Sequence, residues 1–384
     1  MKRLFILVFT LISLSSTAFS KQSTNNPFDM KYNIESYGQD PGASPEVVRA
    51  RLEALPTEIE MRYTSEVHSY IDRYMKYGRK QITSLLVLSS YYMPIFEQAL
   101  AEAGLPDELK YLPIIESNLN AKATSKAGAA GLWQFMPIAA RGYDMKITSG
   151  LDERRDPYLS SERAAKLLKD LYNRFGDWSL AIAAYNCGPG TVQKALKRAG
   201  GDKSKHTFWT ISSYLPSETR KYVPLFIAMN YVMNYYTEHE VPQVTIDQPF
   251  TTDTVRVSDR VTFKKIASTV DVSVEELRKL NPQYTSDVVP ATTSRPCNVI
   301  LPTDMAYEYK VKLGRTPEVK TAQVADKPKD DKKQNRTRKM RETAYESIPD
   351  PSMPNTYIRV RKPMSDGDGI RNQRRRNEFG SNLW

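Results

Sequence analysis

Residues that bind metals or cross-link chains are scarce in this sequence. Its 384 residues include two cysteines, Cys187 and Cys297, and three histidines, His68, His206 and His239. Two cysteines make no disulfide framework, and a bridge between them would have to join two separate domains. The histidines are scattered, and only His239 has acidic neighbours, Glu238 and Glu240. Neither a catalytic metal nor any other cofactor is therefore expected. Long apolar runs are missing too. Leu4 to Leu14 gives about eleven largely apolar residues where a bilayer span needs about 20, so a membrane-crossing helix is not expected there. Lys2-Arg3 precede that run and Ala18-Phe19-Ser20 follow it, the order of an export signal over residues 1–20 cut before Lys21. No cysteine stands near the cut to carry a lipid anchor.

Acidic residues are in deficit. The chain has 55 Lys+Arg against 44 Asp+Glu, a net charge of +11, which suits an acidic partner such as nucleic acid, anionic lipid or a cell-wall polymer. Export leaves the last two, and a nucleic-acid partner is not expected. Residues 314–384 hold 17 Lys+Arg against 10 Asp+Glu, so much of the excess lies late in the sequence. With few core-forming residues, 304–384 read as a disordered basic tail. Arg374-Arg375-Arg376 could attach the chain to anionic wall or membrane, or simply be solvated; Thr356 to Arg361 could be the stub of a second glycan-binding strand, with nothing after it to complete such a module.

Between these ends the pattern is mostly helical. Residues 21–44 form a polar, flexible leader. Over 45–104, Val67, Ile71, Tyr74 and Met75 make one stripe, and a second helix runs from about Ile82 to Ala103 and stops at Gly104. These helices carry no obvious chemistry and should pack against the domain after them. In 105–243, one helix opens at Pro106 with Asp107 and Glu108 in its first turn. Another begins at Asp156-Pro157 and ends at Gly176. Trp178 to Tyr185, capped by Asp177, is apolar nearly all round and so buried, and a long apolar helix spans Glu218 to Tyr236. After Val241-Pro242 the period changes. A strand at Thr254 to Val257, helices at Phe263 to Val270 and Val274 to Leu280, and a strand at Asn298 to Pro302 make a small α+β unit over 250–303.

Chemistry concentrates in Leu109 to Pro137. Leu112, Ile115 and Leu119 recur at helical spacing, with Glu116 on the same side. A carboxylic acid held among apolar neighbours resists ionising, which suits a general acid near neutral pH. Taken alone, such a Glu is more often a water-facing residue at the rim of an amphipathic helix. Its context argues otherwise. Ser125, Gly128, Gly131, Trp133 and Gln134 form a small-residue turn and an aromatic-amide segment, where backbone can approach a ligand closely. Tyr185 and Asn186 end the buried helix at Gly188-Pro189-Gly190 and can project into a cleft. Tyr222, on the long helix, is by spacing alone a core residue.

Four pieces stand in order: Glu116-Ser117 with Asn120, Ser125 to Pro137 around Gly131-Leu132-Trp133-Gln134, Ala184 to Gly190, and Glu218 to Val223. Together they resemble the lysozyme-like catalytic domain of lytic murein transglycosylases of the soluble lytic type, and among these the membrane-bound D type. The resemblance covers Leu105 to about Tyr236; Trp133 stands where many relatives have Met. It implies a lysozyme-like α-helical fold for 105–243 and cleavage of the β-1,4 bond between N-acetylmuramic acid and N-acetylglucosamine in peptidoglycan. No water is added, because the muramyl C6 hydroxyl closes a 1,6-anhydro ring. By the same resemblance Glu116 is the single catalytic acid and base. Ser125, Gln134, Met136, Tyr185, Asn186 and Tyr222 bind and position the sugars, Tyr185 or Tyr222 touches Glu116, and Met136 with Phe135 walls the groove. The implied partner is the peptidoglycan glycan strand and the implied place the periplasm. Two alternatives stay open: a goose-type lysozyme-like hydrolase of the same bond, and a non-catalytic wall-binding scaffold.

Over 250–303, Ile266-Ala267, Val272-Ser273, Leu277, Leu280-Asn281 and Ile300 to Pro302 resemble a LysM module, which binds glycans containing N-acetylglucosamine. Ser258-Asp259-Arg260 replaces the usual Gly-Asp-Thr turn, and the glycine before the last strand is absent; a small structural cap is the alternative. The expected fold is therefore mostly α: a lysozyme-like domain with an N-terminal helical extension, a small α+β LysM-like domain and a disordered basic tail.

Overall fold

The computed structural model describes residues 27–28, 42–201, 206–241 and 250–314, and the backbone of 345–349 and 357–361. The expected export signal, most of the leader and most of the basic tail lie outside the described residues. Ser44 and Thr64 open helices α1 (Pro45–Ala54) and α2 (Ser65–Tyr77), their side-chain oxygens accepting from Val47 N–H and Val67 N–H. Helix α3 (Arg79–Ala103) ends at Gly104, which takes the left-handed conformation, φ 68°, that stops a helix.

Pro106 does not begin one continuous helix. Asp107–Tyr111 wind as a 3-10 turn, and α4 is confined to Leu112–Ser117. Asn118 and Leu119 both take positive φ, 53° and 59°, and break it. Leu119 is therefore buried from the loop and does not continue the Leu112–Ile115 stripe as its spacing suggests. Helix α5 (Pro137–Gly142) follows, then α6 (Pro157–Phe175), which Asp156 caps and Gly176 ends, and α7 (Trp178–Cys187), which Asp177 caps. At Gly188 the chain turns straight into α8 (Pro189–Arg198), so Gly188-Pro189-Gly190 is a corner between two helices. Short α9 (Phe208–Ile211) leads to α10 (Ser217–Tyr235).

These helices share one core. Val67, Ile71 and Met75 of α2 are buried in the same cluster as Phe96, Trp133, Phe208, Phe226 and Tyr231, so the N-terminal helices extend the core of the larger unit and have none of their own.

The second unit pairs β1 (Thr252–Val257) antiparallel with β4 (Cys297–Pro302), Val255 opposite Val299. Strand β2 (Val261–Thr262) pairs with β3 (Val288–Val289). Helices α11 (Phe263–Ala267) and α12 (Val274–Leu280) supply Phe263, Ile266 and Leu277 to a separate core with Val255 and Val299. Regular structure runs past residue 303. Thr303–Lys312 forms α13, which buries Ala306 and Tyr309 in this core; three residues apart on a helix, they lie on one face. The strand expected at Thr356 to Arg361 has a partner: β5 (Tyr345–Pro349) pairs antiparallel with β6 (Tyr357–Arg361).

The two units are docked. Asp152 N–H donates to the Gln283 carbonyl at 2.8 Å, the Thr285 hydroxyl to the Ser149 carbonyl at 2.5 Å, and the Tyr158 and Thr252 hydroxyls pair at 2.8 Å. Leu280 and Ile300 of the small unit belong to the larger core. Cys187 and Cys297 are both free thiols. Among the described residues no helix is long and apolar enough to cross a membrane.

Candidate active site

Three helices meet at one carboxyl group. Helix α4 carries Glu116 in its last turn, α10 brings Tyr222, and α7 brings Tyr185. The Tyr222 hydroxyl donates to Glu116 Oε1. Tyr185 instead donates to the Trp133 carbonyl at 2.6 Å, near enough for the Glu116 charge to act on its hydroxyl. Of the two tyrosines expected at Glu116, Tyr222 makes the contact and Tyr185 braces the floor beside it.

Burial is the largest influence on Glu116. It raises the carboxyl from an ordinary value of 4.5 to about 7; the Tyr222 bond pulls it down and the negative charge of Glu218, in the first turn of α10, pushes it up. Near neutral pH this group is poised between acid and base. Burial also lifts both tyrosine hydroxyls well above their usual range, with the Glu116 charge adding to it. They remain donors at any pH where Glu116 titrates.

The turn beneath the carboxyl is fixed by a buried ion pair. Gly131 sits at φ 85°, and a Cβ there would lie 1.8 Å from the Arg154 carbonyl oxygen, so no other residue fits. Arg154 holds Asp152 through two 2.8 Å bonds and donates through Nη1 to the carbonyls of Gly128 at 2.7 Å and Phe135 at 3.1 Å. Ser117 Oγ donates to the Leu132 carbonyl at 2.9 Å, tying α4 to the same turn, and the buried Trp133 donates through Nε1 to Ser161 Oγ at 2.9 Å. Sequence reading misses Arg154 and Asp152, because an Asp-x-Arg pair in a charged segment carries no mark of burial. It also misses Glu218 and Thr219 as partners of the site, although both stand in the Glu218 to Val223 motif.

The other expected site residues are spread around this centre. Asn186 accepts from Thr219 Oγ1 at 2.8 Å through Oδ1, which fixes its amide against α10. Ser125 is exposed, and its Oγ accepts from Ala129 N–H at 3.0 Å. Gln134, at φ 48°, donates through Nε2 to the Gly131 carbonyl at 2.8 Å. The hydrogen bonds of Ser125 and Gln134 thus close the turn and do not run to Glu116. Met136 is 45% exposed at the start of α5 and can wall a groove. Phe135 cannot: it is 2% exposed in the core, turned inward by its backbone pairing with Ala130. Among the described residues, no group of three or more His, Cys, Asp or Glu could hold a metal ion.

Residues 93–208 match the family described as Transglycosylase SLT domain, and 251–317 match the family described as Lytic transglycosylase MltD, LysM-like domain. Residues 45–92 lie outside both matches. The chain is 34% identical over 238 residues to membrane-bound lytic murein transglycosylase D of Escherichia coli strain K12, covering 61% of this chain and 52% of that one. It is 39% identical over 106 residues to a putative tributyltin chloride resistance protein of Alteromonas, covering 27% of this chain and 51% of that one. The chain thus spans about half the length of these curated relatives. A crystal structure of the 70 kDa soluble lytic transglycosylase of Escherichia coli aligns with 48% of this chain and 33% of its own at 21% identity and a TM-score of 0.34, a likeness too weak to place any residue.

Proposed function

We propose, for a chain that carries an SLT domain followed by a LysM-like domain of the lytic transglycosylase D kind, that it is a peptidoglycan lytic transglycosylase. One observation carries the reading: Glu116 stays protonatable near neutral pH, its carboxyl recessed among three helices and held by Tyr222. A protonated carboxyl can donate to the glycosidic oxygen as the bond to muramyl C1 breaks. The resulting carboxylate then takes the proton of the muramyl C6 hydroxyl while that oxygen bonds to C1. This closes the 1,6-anhydro ring and returns Glu116 to its acid form, with no water consumed. Ordinary glycosidases need two carboxylates, one of them for nucleophile or base; here the substrate supplies the nucleophile. Tyr222 orients the acid, Tyr185 and Asn186 shape the cleft wall, and the Ser125–Gln134 turn and Met136 bound the path of the strand.

The LysM-like unit, docked on the catalytic core, would hold N-acetylglucosamine in the same strand. The apolar run at Leu4 to Leu14 supports export to the compartment where that strand lies. A second reading, hydrolysis of the same bond, draws on Glu218, which is exposed and near enough to act on Glu116. The experiment is Glu116→Gln on purified sacculi. The variant should fold and still sediment with sacculi while releasing no anhydro-muropeptides, and substantial release by it would remove the assignment.

A further inference from the structure

Helix α2 has two faces with different purposes. Val67, Ile71 and Met75 form the buried face, which accounts for its packing. Tyr70, Tyr74 and Tyr77 recur at four and three residues along a second face, where Tyr70 and Tyr74 pack on the edge of the core and Tyr77 stands clear of it. Tyr77 is 85% exposed, and Tyr70 and Tyr74 are half-buried. Tyr77 alone of the three leaves most of its ring in water, at the end of a face whose other two rings turn partly outward.

The row lines a cavity of about 410 Å³, completed by Arg73, by Gln81 at the start of α3 and by Leu225 of α10, a size suited to a small ligand group. Its walls combine flat aromatic faces with hydroxyl, guanidinium and amide groups. A pyranose ring offers the complement: a C–H face that packs on an aromatic ring, and hydroxyl and acetamido groups that take hydrogen bonds at its edge.

Its position points to one ligand. Gln81 donates through Nε2 to Asn118 Oδ1 at 2.6 Å, and Asn118 caps the helix that carries Glu116, two residues away. On the opposite wall, Leu225 lies three residues along α10 from Tyr222, about 4.5 Å of helix rise, and Tyr222 holds Glu116. Two walls of the cavity are thus tied to the elements that carry the carboxyl and its hydrogen-bond donor. We propose that it is an additional sugar subsite in which Tyr70, Tyr74 and Tyr77 stack against the glycan strand beyond the point of cleavage, so that long strands are favoured over short fragments. The inference rests on the proposed transglycosylase reading for its ligand and goes beyond it in placing a binding site on the N-terminal helices.

The test compares long un-crosslinked glycan strands with a muropeptide tetrasaccharide, using the full chain. Tyr77→Ala removes the most exposed ring and should lower kcat/KM on long strands about five- to ten-fold, the loss of one interface anchor, with the tetrasaccharide rate unchanged. Tyr77→Phe, which keeps the stacking face, should retain the parent rate on both. Equal losses on the two substrates, or none on either, would overturn the subsite while leaving the catalytic assignment standing. Should the parent chain release no product at all, the reading of its activity fails and co-sedimentation with sacculi decides the subsite separately: weaker binding by Tyr77→Ala supports it, and unchanged binding overturns it.

Discussion

Replacing Glu116 by Gln should make the protein more stable at alkaline pH and leave it nearly unchanged in acid. A carboxyl whose folded value is raised binds its proton more tightly in the native state than in the unfolded chain. Between the unfolded value of 4.5 and the folded value of about 7, the native state holds more protons, so stability falls as pH rises. Below 4.5 the group is protonated in both states and costs nothing; above 7 the cost is complete. A displacement from 4.5 to about 7 corresponds to about 3 kcal/mol, and solvent reaching the half-buried side chain brings it nearer 2. Glutamine removes this cost, and its carbonyl can still accept from Tyr222. Asp156, raised by burial to about 6, adds a decline in the same direction to both proteins and cancels in their difference. Urea unfolding of the two proteins at pH 4.5, 6 and 8.5 is the assay. The variant should gain about 2–3 kcal/mol on the parent between the extremes. A difference independent of pH, or a parent favoured in alkali, would refute the claim that burial governs this carboxyl.

Tyr222→Phe removes the hydrogen bond that pulls Glu116 down, so the alkaline limb of the pH–rate profile should move upward while kcat falls about 10- to 100-fold; an unmoved limb would sever Tyr222 from the acid. In the parent, activity should decline as pH rises through 7, where the donor is lost, and pH–rate curves on solubilised strands read this directly. Gly131→Ala drives a methyl group into the Arg154 carbonyl and should abolish soluble folded protein or cost more than about 4 kcal/mol, measured by thermal unfolding. Arg154→Ala leaves the buried Asp152 with Arg155 as its remaining ion partner and takes the Arg154 donor from the Gly128 and Phe135 carbonyls; a loss of about 3 kcal/mol is expected, against near-parent stability if the pair is dispensable.

Much of the scaffold was legible because its signals are local. Gly104 and Gly176 stop helices where the sequence places them, and Asp156 and Asp177 cap the next ones. The apolar setting of Glu116 was legible too, since Leu112, Ile115 and Glu116 fall within one short helix. What failed depended on where the chain goes after a turn. Leu119 has helical spacing, yet two residues at positive φ precede or occupy that position, and spacing carries no record of it. Phe135 and Met136 are adjacent and both apolar, but only backbone pairing decides which faces the core. Gln134 and Ser125 hydrogen-bond within their own turn, a choice of rotamer that no pattern encodes. Helix α13 reads as part of a charged tail because its two buried residues, Ala306 and Tyr309, stand among charges. Tyr74 reads by spacing with the buried stripe of α2, and its place on a cavity wall with Tyr70 and Tyr77 arises only when α3 and α10 pack alongside.

The mechanism turns on Glu116 working with a hydroxyl of the sugar and not with water. Digesting sacculi in water labelled with heavy oxygen and weighing the released muropeptides by mass spectrometry separates the two. Anhydro products are expected, about 18 Da lighter than hydrolysed ones and free of label. Hydrated products carrying the heavy oxygen would refute the mechanism.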